Sequence, residues 1–247
     1  MHESEIIEIK YDESFTFDCN DRVQCFNDCC RDLNQLLTPY DILRLKKNLG
    51  LSSSVFLDRY TLRHAGPQTG LPVVTLKPQD PIQRRCPFVA SSGCSVYPDR
   101  PSSCRMYPVI RSVSRARQPG GITVKYMLIR ESHCRGFESR RNRTVDEWLS
   151  DQELFPYNEN NDAMAVLISI KNSVAPGRLT GKAEQLFYMA CYDIDRFREE
   201  VFDKHRLADV MPDADAPVSA RTDDVEMLKF SMAVVKYFMQ NSHVAME

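Results

Sequence analysis

Hydrophobic positions along this chain follow two different periods, and the change falls near residue 144. Before it, apolar residues alternate or come in short runs between turn residues. Phe15-Thr16-Phe17 alternates and closes an extended lead-in over residues 1–18. Thr38 is a good N-cap, Pro39 suits a first helical turn, and Asp41 completes a Thr-x-x-Asp pattern close to a capping box. A helix is therefore predicted through Ile42, Leu43, Leu45 and Leu49, stopped by Gly50. Ser52 to Ser54 can cap a second short helix through Val55, Phe56, Leu57 and Tyr60. Leu71 to Lys77 reads as a strand bounded by prolines and glycines. Gly120-Gly121 precedes Ile122, Val124, Tyr126 and Leu128, which alternate with Thr123, Lys125 and Met127 as in a strand.

From about Thr144 the period becomes helical. Val145 to Leu149 begins a helix around the single tryptophan, Trp148, and Met164 to Ile170 is apolar. One stripe through Leu186, Ala190, Ile194, Phe197 and Val201 predicts a helix from Lys182 to Phe202. A second, through Val225, Leu228, Val235 and Phe238, predicts another from Thr222 to Met239, with residues 211–220 as a linker between them. The expected fold class is α+β. A cysteine-rich metal-binding portion of short strands and loops covers residues 15–140, and a helical extension covers 141–247, packed on the first.

Composition narrows the function without naming it. The chain is 43% apolar and 27% charged with a formal net charge of −2, so nothing forces a nucleic-acid or membrane partner. The acidic start, MHESEIIEIKYDES, lacks a signal-peptide apolar region, and no run approaches the roughly 18–20 apolar residues that span a bilayer. A cytoplasmic location is expected, where structural disulfides are rare and clustered cysteines mean metal or redox chemistry. The helix–Gly–helix unit with Arg44, Lys46 and Lys47 could be read as DNA-binding. Its second helix offers mainly Asp58 and Arg59 to a groove, so a packing hairpin is the better reading and nucleic acid is not an expected partner. No phosphate-binding loop, dinucleotide fingerprint, HExxH or nucleophile elbow is present.

The chemistry-bearing residues are cysteines. Of nine, eight lie between Cys19 and Cys134, and the odd total argues against a closed disulfide framework. Their spacing is Cys19-x5-Cys25-x3-Cys29-Cys30, then Cys86-x7-Cys94-x9-Cys104, then Cys134 beside His133. The middle group sits among prolines and Gly93, in the loop and tight-hairpin sequence that wraps a metal ion. Adjacent Cys29 and Cys30 do not both approach one tetrahedral ion comfortably. Either one is not a ligand, or the two serve different metals or different irons of a cluster. Eight thiols allow two four-cysteine centres, or one with thiols to spare. Cys191 falls in the apolar stripe of a helix and reads as core. His64 reads as a surface loop residue. Arg100 and Arg105, flanking Cys104, either offset thiolate charge or form ordinary ion pairs. The run Arg135, Arg140, Arg141, Arg143 is diluted by Glu138, Asp146 and Glu147 and reads as a solvated face.

Two stretches carry a resemblance: FDCNDRVQCFNDCCRDLNQLLTPYDILRL (residues 17–45) and CPFVASSGCSVYPDRPSSCRMYP (residues 86–108). Together they resemble the YkgJ-type cysteine-cluster proteins, a zinc- or iron-chelating domain with a CxxCxxCC signature. In that family the second stretch typically reads CPFL, a Cys with an aromatic, then RPxxCRxYP. The resemblance covers about residues 15–140, and Cys29, Cys30, Cys86, Cys94 and Cys104 match best. In the first motif the gaps are five and three residues rather than two and two, which leaves the register of Cys19 and Cys25 open. The resemblance implies metal chelation, with an undefined biological role. A similar cluster in flagellin lysine N-methylases implies, as an alternative, a methyltransferase-like enzyme acting on a protein partner or substrate. A structural zinc interaction module is a third reading. The expected ligands are Cys19, Cys25, Cys29, Cys30, Cys86, Cys94, Cys104 and Cys134. The expected cofactor is an iron–sulfur cluster in preference to Zn²⁺, because paired cysteines suit a multinuclear centre.

Overall fold

A computed structural model describes residues 4–31, 33–80, 82–115, 122–211 and 216–241. In chain order its elements are β1 (Ser4–Ile9), β2 (Ser14–Thr16), β3 (Leu36–Leu37), α1 (Pro39–Asn48), α2 (Ser53–Tyr60), β4 (Thr61–Ala65) and β5 (Pro72–Leu76). There follow β6 (Val89–Ala90), β7 (Gly93–Cys94), α3 (Ser102–Met106), β8 (Val109–Arg115), β9 (Ile122–Glu131), β10 (Asn142–Thr144) and α4 (Val145–Asp151). The helices α5 (Phe155–Val174), α6 (Gly181–Cys191), α7 (Ile194–Phe202) and α8 (Asp224–Asn241) complete it. The class is α+β, as expected. The chain divides into two compact units, each made of two stretches of sequence: residues 1–35 with 76–159, and residues 36–75 with 160–247.

The first unit holds eight of the nine cysteines. Its sheet has the order β1-β9-β8, all antiparallel, with Ile6 opposite Ile129 and Val109 opposite Leu128. The alternation from Ile122 does form a strand. Its partner β8 carries alternation too short and too polar to single out. Gly120-Gly121, which precedes it in sequence, lies outside the described residues. A second ribbon pairs β2 with β10, placing Phe15 opposite Arg143. Behind it sits an aromatic cluster centred on Phe17, which is 1% exposed. Phe17 meets Trp148 edge-on at 5.5 Å, Phe137 at 5.0 Å and Tyr107 at 5.9 Å. Trp148 Nε1 donates to Met106 O at 2.9 Å, so burial of the indole leaves no unmade hydrogen bond. The cluster ties together three segments that carry cysteines: the one leading to Cys19, the one after Cys104 and the one after Cys134.

The second unit is mainly helical, with a small sheet of order β3-β5-β4. The Thr38 pattern forms a full capping box: Asp41 N–H donates to Thr38 Oγ1, and Thr38 N–H to Asp41 Oδ2. The stripe from Lys182 to Phe202 is a correction. It is two helices, α6 and α7, broken at Tyr192-Asp193. The break is tertiary in origin. The Asp193 carboxylate accepts from the hydroxyls of Ser53 (2.6 Å) and Ser54 (2.8 Å), and Asp195 accepts from Ser53 N–H (2.7 Å). Those bonds hold Asp193 out of helical geometry (φ −101°, ψ 62°) while the apolar period continues across the break. Lys46 is buried at 6% exposure and paired with Asp195 and Asp224, so it is not a surface cation of a groove-reading helix. Within the expected 211–220 linker, Val218–Arg221 forms a 3-10 turn, and residues 212–215 lie outside the described residues. Cys191 is core, at 1% exposure. Among the described residues no helix is long and apolar enough to cross a membrane.

Candidate metal centre

The first group of cysteines is carried by a chain of tight turns rather than by a helix or strand. Backbone bonds run from Val23 N–H to Asn20 O, Phe26 to Val23, Asp28 to Cys25 and Cys30 to Asn27. Asn27 takes a left-handed conformation (φ 69°), which asparagine tolerates better than most residues, and its side-chain amide donates to Ala90 O at 3.2 Å. The turn ends in a single 3-10 turn over Asp28–Cys30. Cys86 N–H then donates to Cys30 O at 2.9 Å, and Leu33 N–H to Arg84 O at 2.9 Å. The two cysteine-bearing stretches, far apart in sequence, therefore lie side by side.

The hairpin of β6 and β7 places Val89 opposite Cys94. Gly93 at its turn has φ 114°, which disfavours any side chain, and Phe26 packs against it. Cys134 follows β9 and reaches the same region through a close approach. A Cβ on Gly136 would stand 2.3 Å from Phe17 Cε2, so only glycine fits there, and Asp18 N–H donates to Gly136 O at 3.0 Å.

Cys19, Cys25, Cys29 and Cys134 line one small cavity of about 30 Å³, together with Phe17, Val23, Tyr107, His133 and Gly136. That volume is room for one water or one ion. The Cys25 thiol lies close enough to Cys134 to raise its cost of ionisation, and neighbouring Cys30 does the same for Cys29. Cys29 also lies within electrostatic reach of Cys86 and Cys94, members of the second cysteine group. Cys104 lies on α3, exposed like Cys19 and Cys29, and its thiol donates to Gln35 Oε1 at 3.4 Å.

Burial raises the pKa of Cys19 to about 11, with the charges of Cys29, Cys25 and Cys134 adding to it. Burial likewise pushes Cys86 to about 11 and raises Cys94 and Cys134. Cys29 is raised first by its contact with Cys30 and then by burial. Several thiolates packed together without a counter-charge repel one another.

Backbone amides nevertheless aim at the same sulfurs. Arg135 N–H donates to Cys25 Sγ at 3.1 Å. The N–H groups of Phe88 and Val89 face Cys86, that of Val96 faces Cys94, and that of Gly136 faces Cys134. Three of these follow one rule, from the second residue after the cysteine back to its sulfur. Such donors favour the thiolate, the form that ligates metal. Arg100 adds charge. Burial lowers its pKa, but it lies close enough to Cys104 and Cys94 to be held up by them, and it lowers the Cys94 pKa in turn.

An all-sulfur set with amide donors in place fits a soft or borderline cation, zinc or iron. Among the described residues, however, no three His, Cys, Asp or Glu side chains are already gathered in the geometry of a metal site. The thiols are neighbours without a preformed polyhedron.

A family model described as “CxxCxxCC: Putative zinc- or iron-chelating domain” matches residues 18–135. Over that stretch, a little under half of the chain, the protein is similar to the CxxCxxCC domain. The match begins one residue before Cys19 and ends one after Cys134, so it encloses all eight clustered cysteines and leaves out the core residue Cys191. The wider gaps between Cys19, Cys25 and Cys29 are taken up by the turns at Asn20–Val23 and Val23–Phe26. No curated protein and no solved structure matches the chain.

Other residues singled out in the sequence fall to structural roles. Arg105, 2% exposed, donates to the carbonyls of Arg100, Gln152 and Pro98 and lies over Tyr157. Arg143 lies over Trp148 and pairs with Asp151 at 2.9 Å. Arg135 pairs with Glu138 and Arg141 with Asp151. His64 contacts Thr75 Oγ1 and belongs to the other unit. Tyr107 and the amide donors had no marker in a cysteine-spacing pattern. The tyrosine's only signal was its place in the Cys-Arg-x-Tyr-Pro run.

Proposed function

We propose that the CxxCxxCC domain chelates iron through thiolates drawn from Cys19, Cys25, Cys29, Cys30, Cys86, Cys94, Cys104 and Cys134, and holds it as an iron–sulfur cluster. The observation that supports this is the position of Cys29, which lines one cavity with Cys19, Cys25 and Cys134 while lying beside Cys30 and within electrostatic reach of Cys86 and Cys94. One sulfur central to so many others suits a multinuclear centre, in which adjacent cysteines reach different irons. When bound, iron would supply positive charge to the crowded, partly shielded thiolates. The chain's part is to exclude water with Phe17, Val23 and Tyr107 and to direct amide donors at the sulfurs.

A second reading is a single zinc ion held by Cys19, Cys25, Cys29 and Cys134. The cavity's volume favours it, because one ion needs far less opening of the turns than a cluster does. Anaerobic purification with metal and acid-labile sulfide analysis and an absorption spectrum separates the two. Iron with sulfide and visible charge-transfer bands supports the first reading. A colourless protein with one zinc supports the second. A folded protein that takes up neither metal removes both.

A further inference from the structure

Tyr107 stands on the wall of the thiol cavity, half-buried as a residue but with its hydroxyl end covered. Its hydroxyl is shielded from water and makes no hydrogen bond of acceptable geometry. The ring is fixed by edge-on packing against Phe17 at 5.9 Å, and its backbone N–H caps α3 by donating to Ser103 O. A buried hydroxyl left unpaired is destabilising, because it has given up its hydrogen bonds to water.

Two groups face this hydroxyl, Cys134 and Glu131. Glu131 keeps about a third of its side chain in water and faces His133 at 4.0 Å, so water and His133 are open to it as partners. Cys134 differs. As a thiol it is a weak acceptor with Cys25 close by; as a metal-bound thiolate it becomes a charged acceptor with lone pairs to offer.

We propose that Tyr107 is a positioning residue for the metal centre, donating its hydroxyl hydrogen bond to Cys134 Sγ when that sulfur ligates metal. The orphaned donor is the part of the site that the metal-free arrangement leaves unused. This rests on the chelation reading above and adds a named outer-sphere donor to it.

Cobalt(II) added anaerobically to the full chain tests it, with Tyr107→Phe as the variant. Phenylalanine keeps the ring and removes only the donor. In the metal-free form Tyr107→Phe is expected to melt at or above the wild-type temperature, because it deletes an unpaired group. In the cobalt form it is expected to bind about 10- to 100-fold more weakly. Its sulfur-to-cobalt charge-transfer band should also move to lower energy, because a thiolate without the hydrogen bond gives up charge more readily. A merely structural tyrosine would leave the band unmoved. Equal affinity and an unshifted band in the variant overturn the proposal. A wild-type chain that binds no cobalt overturns the chelation reading, and this proposal with it.

Discussion

The amide N–H of Arg135 donates to Cys25 Sγ at 3.1 Å, across 110 residues of chain. The bond joins the first cysteine-bearing turn to the segment just after the last clustered cysteine. Cys25 and Cys134 thereby line the same cavity, so the two ends of the cysteine-bearing segment meet. If that cavity is the metal site, Cys25→Ser or Cys29→Ser should lower bound metal per chain to less than half. Cys191→Ala, in the other unit's core, should leave metal content unchanged and cost about 1 kcal/mol of stability from lost packing. Metal analysis and thermal melts of the three variants check this; equal metal loss in all three would contradict it.

Gly136→Ala places a methyl 2.3 Å from Phe17 Cε2 and 2.8 Å from Asp18 O, where the backbone has no room to yield cheaply. A loss of about 1–3 kcal/mol is expected. Because Gly136 N–H also faces Cys134, metal affinity should fall with stability. Denaturant titration alongside metal binding reads both, and a variant as stable as wild type counts against this packing.

Asp224 gives a pH dependence with a definite sign. Burial alone would raise its pKa, but hydrogen bonds from Lys46 and Arg198 outweigh burial and hold it below the ordinary 3.8. The unfolded chain therefore binds this proton at higher pH than the folded chain. The stabilisation is complete above the ordinary carboxylate value and is lost as pH falls through the depressed folded value. Asp224→Asn should be less stable than wild type at pH 7, and the gap should close in acid. Urea midpoints from neutral pH down to pH 3 check the trend; a gap of constant size would contradict it.

The capping box of α1 is separately testable. Thr38→Ala removes the acceptor for Asp41 N–H and should cost about 1 kcal/mol. Thr38→Ser keeps the hydroxyl and should recover most of that loss in a denaturant titration.

Local signals in the sequence proved sufficient where the structure obeys local rules. Thr38, Pro39 and Asp41 specify a helix start because the cap is made within four residues. Ile122 to Leu128 specifies a strand because alternation with one face toward the core is a property of the strand itself. The Lys182–Phe202 stripe misled for the opposite reason. Its period is continuous, but Asp193 is held out of the helix by Ser53 and Ser54, about 140 residues away in sequence. No window along the chain contains both partners.

The sequence by itself determined that eight thiols crowd residues 19–134, that Cys191 is core, and that the chain is α+β, since composition and period are local quantities. Tertiary structure decided which thiols are neighbours. Cys29 came within reach of the second group because Cys86 N–H bonds Cys30 O, and Cys134 joined Cys25 because Gly136 lets the chain pass against Phe17. Ligand sets are made by distances through space, and those depend on where turns and close contacts bring the chain back to itself.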